Sequence, residues 1–282
     1  MRVDIGGARL YFDVEGAGLV GEGSAMVARP TLLLLHGGPG FDHSLFKPWF
    51  GRFADTHQVV YLDHRGQGRS DEQSDPTHWN LSSWADDVAA FCAALDIERP
   101  VIFGNSFGGM VAAVVAGRYP ELASKLVLSS TAARLHLDAL YDMMERLGGI
   151  EAREVATSYW TDPTPEHMNS YLKICLPLYT RHGPGPSEAR GRAIVNPAVT
   201  AHFINGEQRT MDLREQLADI TCRTLVLAGM EDPVCPPVCQ EEMVAALPSE
   251  TTEFHLLSDC GHGTYRDQPE RTESILRDFF DT

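Results

Sequence analysis

Short runs of consecutive apolar residues recur along the chain. The runs are TLLLLH (31–36), HQVVYLD (57–63), PVIFGN (100–105), KLVLSS (125–130), TLVLAG (224–229) and EFHLLSD (253–259). Runs of this length without alternating polar residues are typical of parallel strands that are buried on both faces of a sheet. Before them, RVDI and RLYFDVE within residues 2–15 predict two short strands joined near Gly6 and Gly7, and the glycine-rich segment 16–25 predicts a loop.

Helical spacing of apolar side chains fills the intervals between these runs. In SSWADDVAAFCAALDI (82–97), residues Trp84, Val88, Phe91 and Leu95 fall on one helical face. Residues 107–118 predict a second helix, and PPVCQEEMVAAL and PERTESILRDFF, each with proline near its start, predict two more. Strands that alternate with helices predict an α/β fold with a mostly parallel sheet flanked by helices.

The alternation stops between residues 133 and 212. This part of the chain has the pattern of several helices with loops, including the segment RHGPGPSEARG (181–191). The strand pattern resumes at Thr224 without an intervening linker. We therefore expect one core domain made of residues 1–132 and 213–282, with residues 133–212 inserted as a helical cap over the site. A separate helical domain is the alternative.

The stretch GNSFGG (104–109) is the first candidate for chemistry. Gly104-Asn105-Ser106-Phe107-Gly108 fits the pattern G-x-S-x-G, with an apolar strand before it and a helical pattern after it. Such a strand-to-helix turn exposes a serine nucleophile at a helix N-terminus, where developing negative charge is stabilised. An ordinary serine in a glycine-rich loop is the alternative interpretation.

A catalytic serine needs a base, and the base needs a carboxylate to orient it. Asp232 in AGMEDPVCP and His262 in SDCGHGTY each follow a predicted strand. Both therefore belong at the carboxyl edge of the sheet, where the serine turn also opens. We predict a catalytic triad of Ser106, His262 and Asp232, with Glu231 as the alternative acid and Asp259 in a loop-capping role.

The segment HGGPG (36–40) follows the predicted strand TLLLL and supplies candidates for an oxyanion hole. Glycines let backbone N–H groups approach a tetrahedral oxygen closely. We expect the donors to be the N–H groups of Gly38 and of Phe107, the residue after the nucleophile. His36 is expected to support the loop.

These motifs stand in an order that resembles the α/β-hydrolase superfamily over nearly the whole chain. The segments are HGGPG, YLDHRGQGRSD, GNSFGG, GMEDPVCP and DCGHGTYRDQP. Within that superfamily, HGGPG is similar to the proline iminopeptidases and their relatives. The resemblance implies a serine hydrolase without a metal or organic cofactor. It also implies release of an N-terminal residue, often proline, under a cap whose glutamates hold the substrate ammonium.

Two positions depart from the iminopeptidase pattern. Phe107 stands where those enzymes usually have Trp or Tyr, and Pro233 stands where some have a glutamate that meets the ammonium. Glu207 in FINGEQ, or Glu166, is the candidate replacement for that glutamate.

Among the aromatic residues of the predicted cap, Tyr159 and Trp160 are candidate substrate contacts. The leading function is cleavage of a small amide or ester in the manner of a proline iminopeptidase. A carboxylesterase or a lactonase, for example on acyl lactones, would use the same triad, as would a C–C bond hydrolase or a hydroxynitrile lyase. A ligand-binding protein on a hydrolase fold is the non-enzymatic alternative.

Composition excludes several classes of partner. With 23 Lys and Arg against 39 Asp and Glu, the formal charge is −16, which repels the phosphate backbone of nucleic acids. No apolar run approaches the roughly 18 residues of a membrane span, and MRVDIGGARLYFDVEG lacks the apolar core of a signal peptide. The six cysteines are scattered, which predicts reduced thiols. We therefore expect a cytoplasmic enzyme with a small-molecule substrate, whose oligomeric state the sequence does not indicate.

Overall fold

An eight-stranded sheet with the order β1-β2-β6-β5-β7-β8-β9-β10 forms the centre of the protein. The computed structural model describes residues 1–71, 74–182 and 191–282. The strands are β1 (Arg2–Asp4), β2 (Arg9–Glu15), β3 (Leu19–Glu22), β4 (Ala25–Ala28), β5 (Thr31–Leu35), β6 (Gln58–Leu62), β7 (Val101–Asn105), β8 (Lys125–Ser129), β9 (Arg223–Gly229) and β10 (Thr252–Leu257). The six strands β5 to β10 are parallel to one another in the sheet. Strands β1 and β2 lie at one edge and pair in antiparallel fashion, β1 with β2 and β2 with β6.

The central strands are buried on both faces because helices cover both sides of the sheet. In β5, Leu33 and Leu35 belong to one buried apolar cluster, and Leu32 and Leu34 belong to a second cluster. Successive side chains of a strand point to opposite faces, so a continuous run of leucine supplies both layers of the core. The unbroken apolar runs in the sequence therefore reflect two-sided burial.

Helices complete the two outer layers. They are α1 (Leu81–Ala94), α2 (Phe107–Arg118), α3 (Leu137–Thr161), α4 (Pro165–Ile174), α5 (Pro197–Asn205), α6 (Arg214–Ala218), α7 (Pro237–Ala246), α8 (Thr264–Asp267) and α9 (Pro269–Asp281). Short 3₁₀ helices cover His43–Phe46, Trp49–Asp55, Pro76–His78, Leu176–Tyr179 and Glu207–Arg209. The apolar faces of α1 and α2 join the first core cluster, whereas α9 joins the second. The predicted α/β fold is confirmed.

One expectation for the N-terminal region was wrong. The segment 16–25 was expected to be a loop, but it includes β3 and the start of β4, which pair with each other as a separate antiparallel hairpin. Most residues of this hairpin are exposed to solvent on both faces. Its sequence therefore lacks the alternation of buried and exposed positions that marks a strand packed on a core.

Between β8 and β9, the described residues of 133–212 form α3, α4, α5 and two of the 3₁₀ helices, without a strand. Helix α3 bends at Gly149, whose φ is 77°. The division into a core and an inserted cap remains a prediction that this helical content supports. Most of the predicted loop 181–191 lies outside the described residues. Within the described ranges, every helix is too short or too polar to cross a lipid bilayer.

Candidate active site

Ser106 occupies the turn between β7 and α2. Its backbone has a φ of 55° and a ψ of −123°, a strained conformation for a residue with a side chain. The turn is fixed by its neighbours, because the Ser106 N–H donates to the Ser129 carbonyl at 2.9 Å and the Thr131 hydroxyl donates to the Ser106 carbonyl at 2.7 Å. A Cβ at Gly108 would lie 2.0 Å from the Leu35 carbonyl oxygen, so only glycine lets α2 begin this close to β5.

Asp232 and His262 form a buried pair at the same edge of the sheet, in the loops that follow β9 and β10. The His262 Nδ1 atom lies 2.9 Å and 2.8 Å from the two carboxylate oxygens of Asp232. The Asp232 Oδ1 atom also accepts hydrogen bonds from the N–H groups of Val234 and Cys235, each at 2.8 Å. The backbone of His262 is held by a 2.7 Å bond from its N–H to the Tyr179 carbonyl. The imidazole therefore has a fixed orientation.

Glu231, the alternative acid, has other partners. Its Oε2 atom lies 2.5 Å from Arg181 Nε, and its Oε1 atom lies 3.6 Å from Arg146 Nη2. Asp259 is exposed and lies 3.2 Å from His182. Of the three acids considered, Asp232 is the one beside the imidazole.

Ser106 and His262 line one cavity of about 120 Å³. Within the described residues, the Ser106 hydroxyl makes no hydrogen bond, so it is not bonded to His262. Catalytic hydrogen bonds are often long or misaligned before substrate binds. The two side chains therefore share a site without a formed contact between them.

The segment 36–40 lies against the serine. A Cβ at Gly37 would lie 3.2 Å from the Ser106 Cβ and 3.9 Å from its Oγ. In the described part of the chain, the N–H groups of Gly38 and Phe107 donate to no protein acceptor, and both residues line the cavity. Unpaired N–H donors that face the cavity are what an oxyanion hole requires.

His36 contributes to this loop from a buried position. Its Nε2 atom accepts a bond from the His64 N–H at 3.3 Å, and its Nδ1 atom lies 2.8 Å from the Gly37 carbonyl. Burial lowers the pKa of His36, which favours the neutral ring that these two bonds require. The contacts match the supporting role expected for His36.

The remaining wall of the cavity is mostly apolar. Tyr159 and Trp160, the candidate substrate contacts, line it, and other aromatic rings join them: Phe41, Phe46, Tyr171, Tyr179, Phe203 and Tyr265. The rings of Tyr159 and Tyr171 are stacked with their centroids 4.3 Å apart. Burial raises the pKa of both phenols, so they remain uncharged. Such a wall suits an apolar substrate group.

Glu207 does not line the cavity, contrary to its expected role as a substrate contact. Its Oε2 atom accepts a 2.8 Å hydrogen bond from the N–H of Leu81, the first residue of α1. The carboxylate therefore caps a helix, and the neighbouring Gln208 faces the cavity instead. The other proposed replacement, Glu166, is exposed at the start of α4.

Several cavity residues were not singled out from the sequence, and three of them bear on the chemistry of the site. Tyr179 packs its ring against the His262 ring, with the centroids 5.0 Å apart. Gln208 and Arg266 supply polar groups to the lining. Arg266 lies in the quoted motif DCGHGTYRDQP, four residues after His262, and this proximity was the available signal. Tyr179 and Gln208 reach the site only through tertiary packing.

The described residues contain no cluster of three or more His, Cys, Asp or Glu side chains arranged to hold a metal ion. Cys235 lines the cavity, and burial raises the pKa of its thiol well above the ordinary value. Its thiol therefore stays protonated and is a poor nucleophile.

Comparison with known proteins places this geometry in context. The family described as alpha/beta hydrolase fold matches residues 30–269. The chain is 28% identical to a proline iminopeptidase of Levilactobacillus brevis over 87% of this chain and 86% of that protein. The solved proline iminopeptidase of Mycobacterium smegmatis is 22% identical, with a TM-score of 0.75 over 99% of this chain and 96% of that one. The solved structure of Est816, described as an N-acyl homoserine lactone degrading enzyme, is 22% identical, with a TM-score of 0.71 over 99% of this chain and 100% of that one.

Proposed function

The chain belongs to the α/β-hydrolase family and is a hydrolase, and from this premise we propose that it cleaves a small ester, lactone or amide through a covalent acyl-enzyme on Ser106. His262 is the general base and acid, and Asp232 orients it. The N–H groups of Gly38 and Phe107 form the oxyanion hole.

The reaction has two halves. In the first, His262 Nε2 removes the hydroxyl proton as Ser106 Oγ attacks the substrate carbonyl carbon, and the same proton then goes to the leaving group. In the second, His262 removes a proton from water as the water attacks the ester of Ser106, and the same proton then returns to Ser106 Oγ as the acid is released. Asp232 stabilises the imidazolium during both halves, and the two N–H groups stabilise the oxyanion.

One observation supports the proposal more strongly than the other features of the site. The buried Asp232–His262 pair, with distances of 2.9 Å and 2.8 Å, faces the same cavity as a serine held in a strained turn. A positive φ at a serine costs about 1–3 kcal/mol and persists where the surrounding structure enforces it. A ligand-binding protein has no need of a strained serine and an oriented imidazole in one cavity.

The cavity favours a substrate without a free ammonium. Its described lining contains neither Asp nor Glu, and its cap wall is built of neutral aromatic rings. A buried cation without a carboxylate partner is strongly destabilised. Esters, lactones and acylated amides with an apolar portion therefore fit this lining best.

A second candidate is a proline iminopeptidase. The similarity to proline iminopeptidases over most of the chain favours it. That activity requires recognition of a free N-terminal amine, and the tyrosine and tryptophan rings of the cap are the described groups able to stabilise a cation by its contact with a π face.

A matched set of substrates tests both candidates on one preparation. It contains p-nitrophenyl butyrate, a γ-lactone with an acyl chain, proline p-nitroanilide and N-acetylproline p-nitroanilide. We expect the ester or lactone to be hydrolysed faster than the free proline anilide, and Ser106→Ala to lower kcat by roughly 10⁴-fold or more. Faster cleavage of free than of acetylated proline anilide would establish the iminopeptidase. Turnover by Ser106→Ala within tenfold of the wild type would refute the acyl-enzyme.

A further inference from the structure

Arg266 is the charged side chain in the described lining of the cavity. It belongs to the short helix α8, four residues after His262. The acids near it have other partners: Asp267 accepts from the N–H groups of Gly261 and Arg181, at 2.7 Å and 3.0 Å. Within the described residues, no carboxylate lies within ion-pair distance of Arg266. A cation therefore faces the cavity without a counter-ion in an acidic protein.

The guanidinium group of Arg266 is held in place. Its Nη2 atom donates to the His262 carbonyl at 3.2 Å, and its carbon lies 5.0 Å from the centroid of the Tyr265 ring. A Cβ at Gly263 would lie 2.7–3.1 Å from guanidinium atoms, so a side chain there would displace the group. Gly263 has a φ of 134°, which side-chain-bearing residues rarely adopt. The local backbone thus leaves room for this cation.

The hydrogen-bonding capacity of Arg266 is only partly used. The Nε atom is buried on the side of Gly263, and one N–H of Nη2 donates to the His262 carbonyl. Within the described residues Nη1 makes no hydrogen bond, so the Nη1–Nη2 end of the guanidinium is the donor fork left for a ligand. A carboxylate is the group that best matches such a donor fork, because it accepts two parallel charge-assisted hydrogen bonds. Arg266 is half-buried, and a neutral ester would accept a hydrogen bond from it without balancing its charge.

We propose that Arg266 forms a subsite for a carboxylate of the substrate, so that the enzyme hydrolyses esters, lactones or amides that carry a second, anionic carboxyl group. The proposal deepens the proposed function and rests on it. The apolar cap wall contacts the uncharged part of the substrate, and Arg266 contacts the carboxylate near the loop of His262. The reacting bond and the proton transfers are those given above.

Two pairs of esters test whether a substrate carboxylate is preferred and on which side of the scissile bond it must lie. Mono-p-nitrophenyl glutarate and p-nitrophenyl butyrate differ in a carboxylate on the acyl side. The butyrate esters of 4-hydroxybenzoate and of 4-hydroxyacetophenone differ in a carboxylate on the leaving group. We expect the wild type to have at least tenfold higher kcat/KM for the anionic member of one pair, as a charge-assisted hydrogen bond provides. Arg266→Gln should remove that preference, and Arg266→Lys should retain part of it.

Ratios within a pair exclude a merely structural role. If Arg266 only orients His262, Arg266→Gln lowers kcat for both members equally and the ratio persists, which would overturn the proposal. Absence of an anionic preference in the wild type for both pairs would overturn it as well. Arg271→Gln removes the same charge from an exposed position on α9 and should leave the ratio unchanged.

A binding measurement keeps this inference separate from the proposed catalysis. In the Ser106→Ala background, the preferred anionic ester should bind at least tenfold more tightly than its neutral partner by calorimetry. That advantage should disappear in Ser106→Ala with Arg266→Gln, and shrink with added salt. Equal binding of the two esters would refute the subsite. Turnover that survives Ser106→Ala would instead refute the acyl-enzyme. The difference in binding between the two esters would then still decide whether Arg266 forms the carboxylate subsite.

Discussion

Two adjacent carboxylates, Glu231 and Asp232, have different partners although they share one loop. Asp232 is fully buried and receives two backbone N–H groups and the His262 ring, whereas Glu231 pairs with Arg181 and Arg146. The direction of a side chain that follows a strand end decides between them. Sequence position alone leaves both open.

This difference predicts opposite outcomes for two similar substitutions. Asp232→Asn keeps the shape of the side chain but no longer fixes the imidazole tautomer, and should lower kcat by about 10⁴-fold. Glu231→Gln should change kcat by less than tenfold, because its partners lie outside the catalytic pair. Steady-state kinetics on the best ester measures both. A larger loss from Glu231→Gln than from Asp232→Asn would reverse the assignment.

At the scale of elements, two aromatic residues of helix α3 differ in position: Trp160 lines the cavity, and Tyr141 does not. Trp160→Leu should change the kcat/KM ratio between p-nitrophenyl octanoate and acetate by about tenfold, since pocket volume sets this discrimination. Tyr141→Leu should leave the ratio as it is. Equal effects of the two substitutions would mean that the helical segment acts on stability and does not select the substrate.

Glu207 joins two elements, because its carboxylate caps the first N–H of α1 from the 3₁₀ helix Glu207–Arg209. Glu207→Ala removes the acceptor and should lower the free energy of unfolding by about 0.5–2 kcal/mol, as for other helix caps. Urea denaturation measures this loss, with the exposed Glu215→Ala as the control. If the substitution instead lowered kcat/KM for free proline anilide a hundredfold and changed that for an ester little, Glu207 would be the residue that binds the substrate ammonium.

Elements that pack on the core were predictable, and elements that do not were missed. The run TLLLL became β5 because two-sided burial leaves an unbroken apolar signal, and residues 107–118 became α2 with the same bounds. The exposed hairpin of β3 and β4 carries no such signal. Residues at loop ends, such as Asp232 and His262, could be placed because parallel strands end at one edge.

Contacts between distant segments were not predictable. The neighbours Glu207 and Gln208 differ in role because a 3₁₀ turn points one at α1 and the other at the cavity. A single-residue change in direction has no signature in composition or spacing. The same applies to Tyr179, whose carbonyl holds the His262 backbone across more than 80 residues of chain.

At the scale of the whole molecule, buried histidines link stability to pH. Burial lowers the pKa of His36, and it lowers the pKa of His64 further. The unfolded chain binds protons at these rings below about pH 6.5, while the folded protein resists protonation. The unfolded state then holds more protons, so stability is lost as pH falls below that value, by up to about 1.4 kcal/mol per pH unit for each ring.

Urea unfolding at pH 7.5 and 5.5 measures this dependence. His64→Gln should reduce the difference in unfolding free energy between the two pH values, and His78→Gln, at an exposed position, should leave it as in the wild type. A protein whose stability is the same at both pH values would contradict the neutral buried rings.

The most direct test of the central claim is covalent labelling of Ser106. A small phosphonofluoridate reagent should add one adduct to the wild-type protein, seen as a single mass increase and mapped to the peptide that contains GNSFGG. His262→Ala, with an unchanged circular dichroism spectrum, should label at least a hundredfold more slowly, because the hydroxyl loses its base. An enzymatically active preparation that leaves Ser106 unlabelled, or a His262→Ala variant that labels at the wild-type rate, would contradict the account.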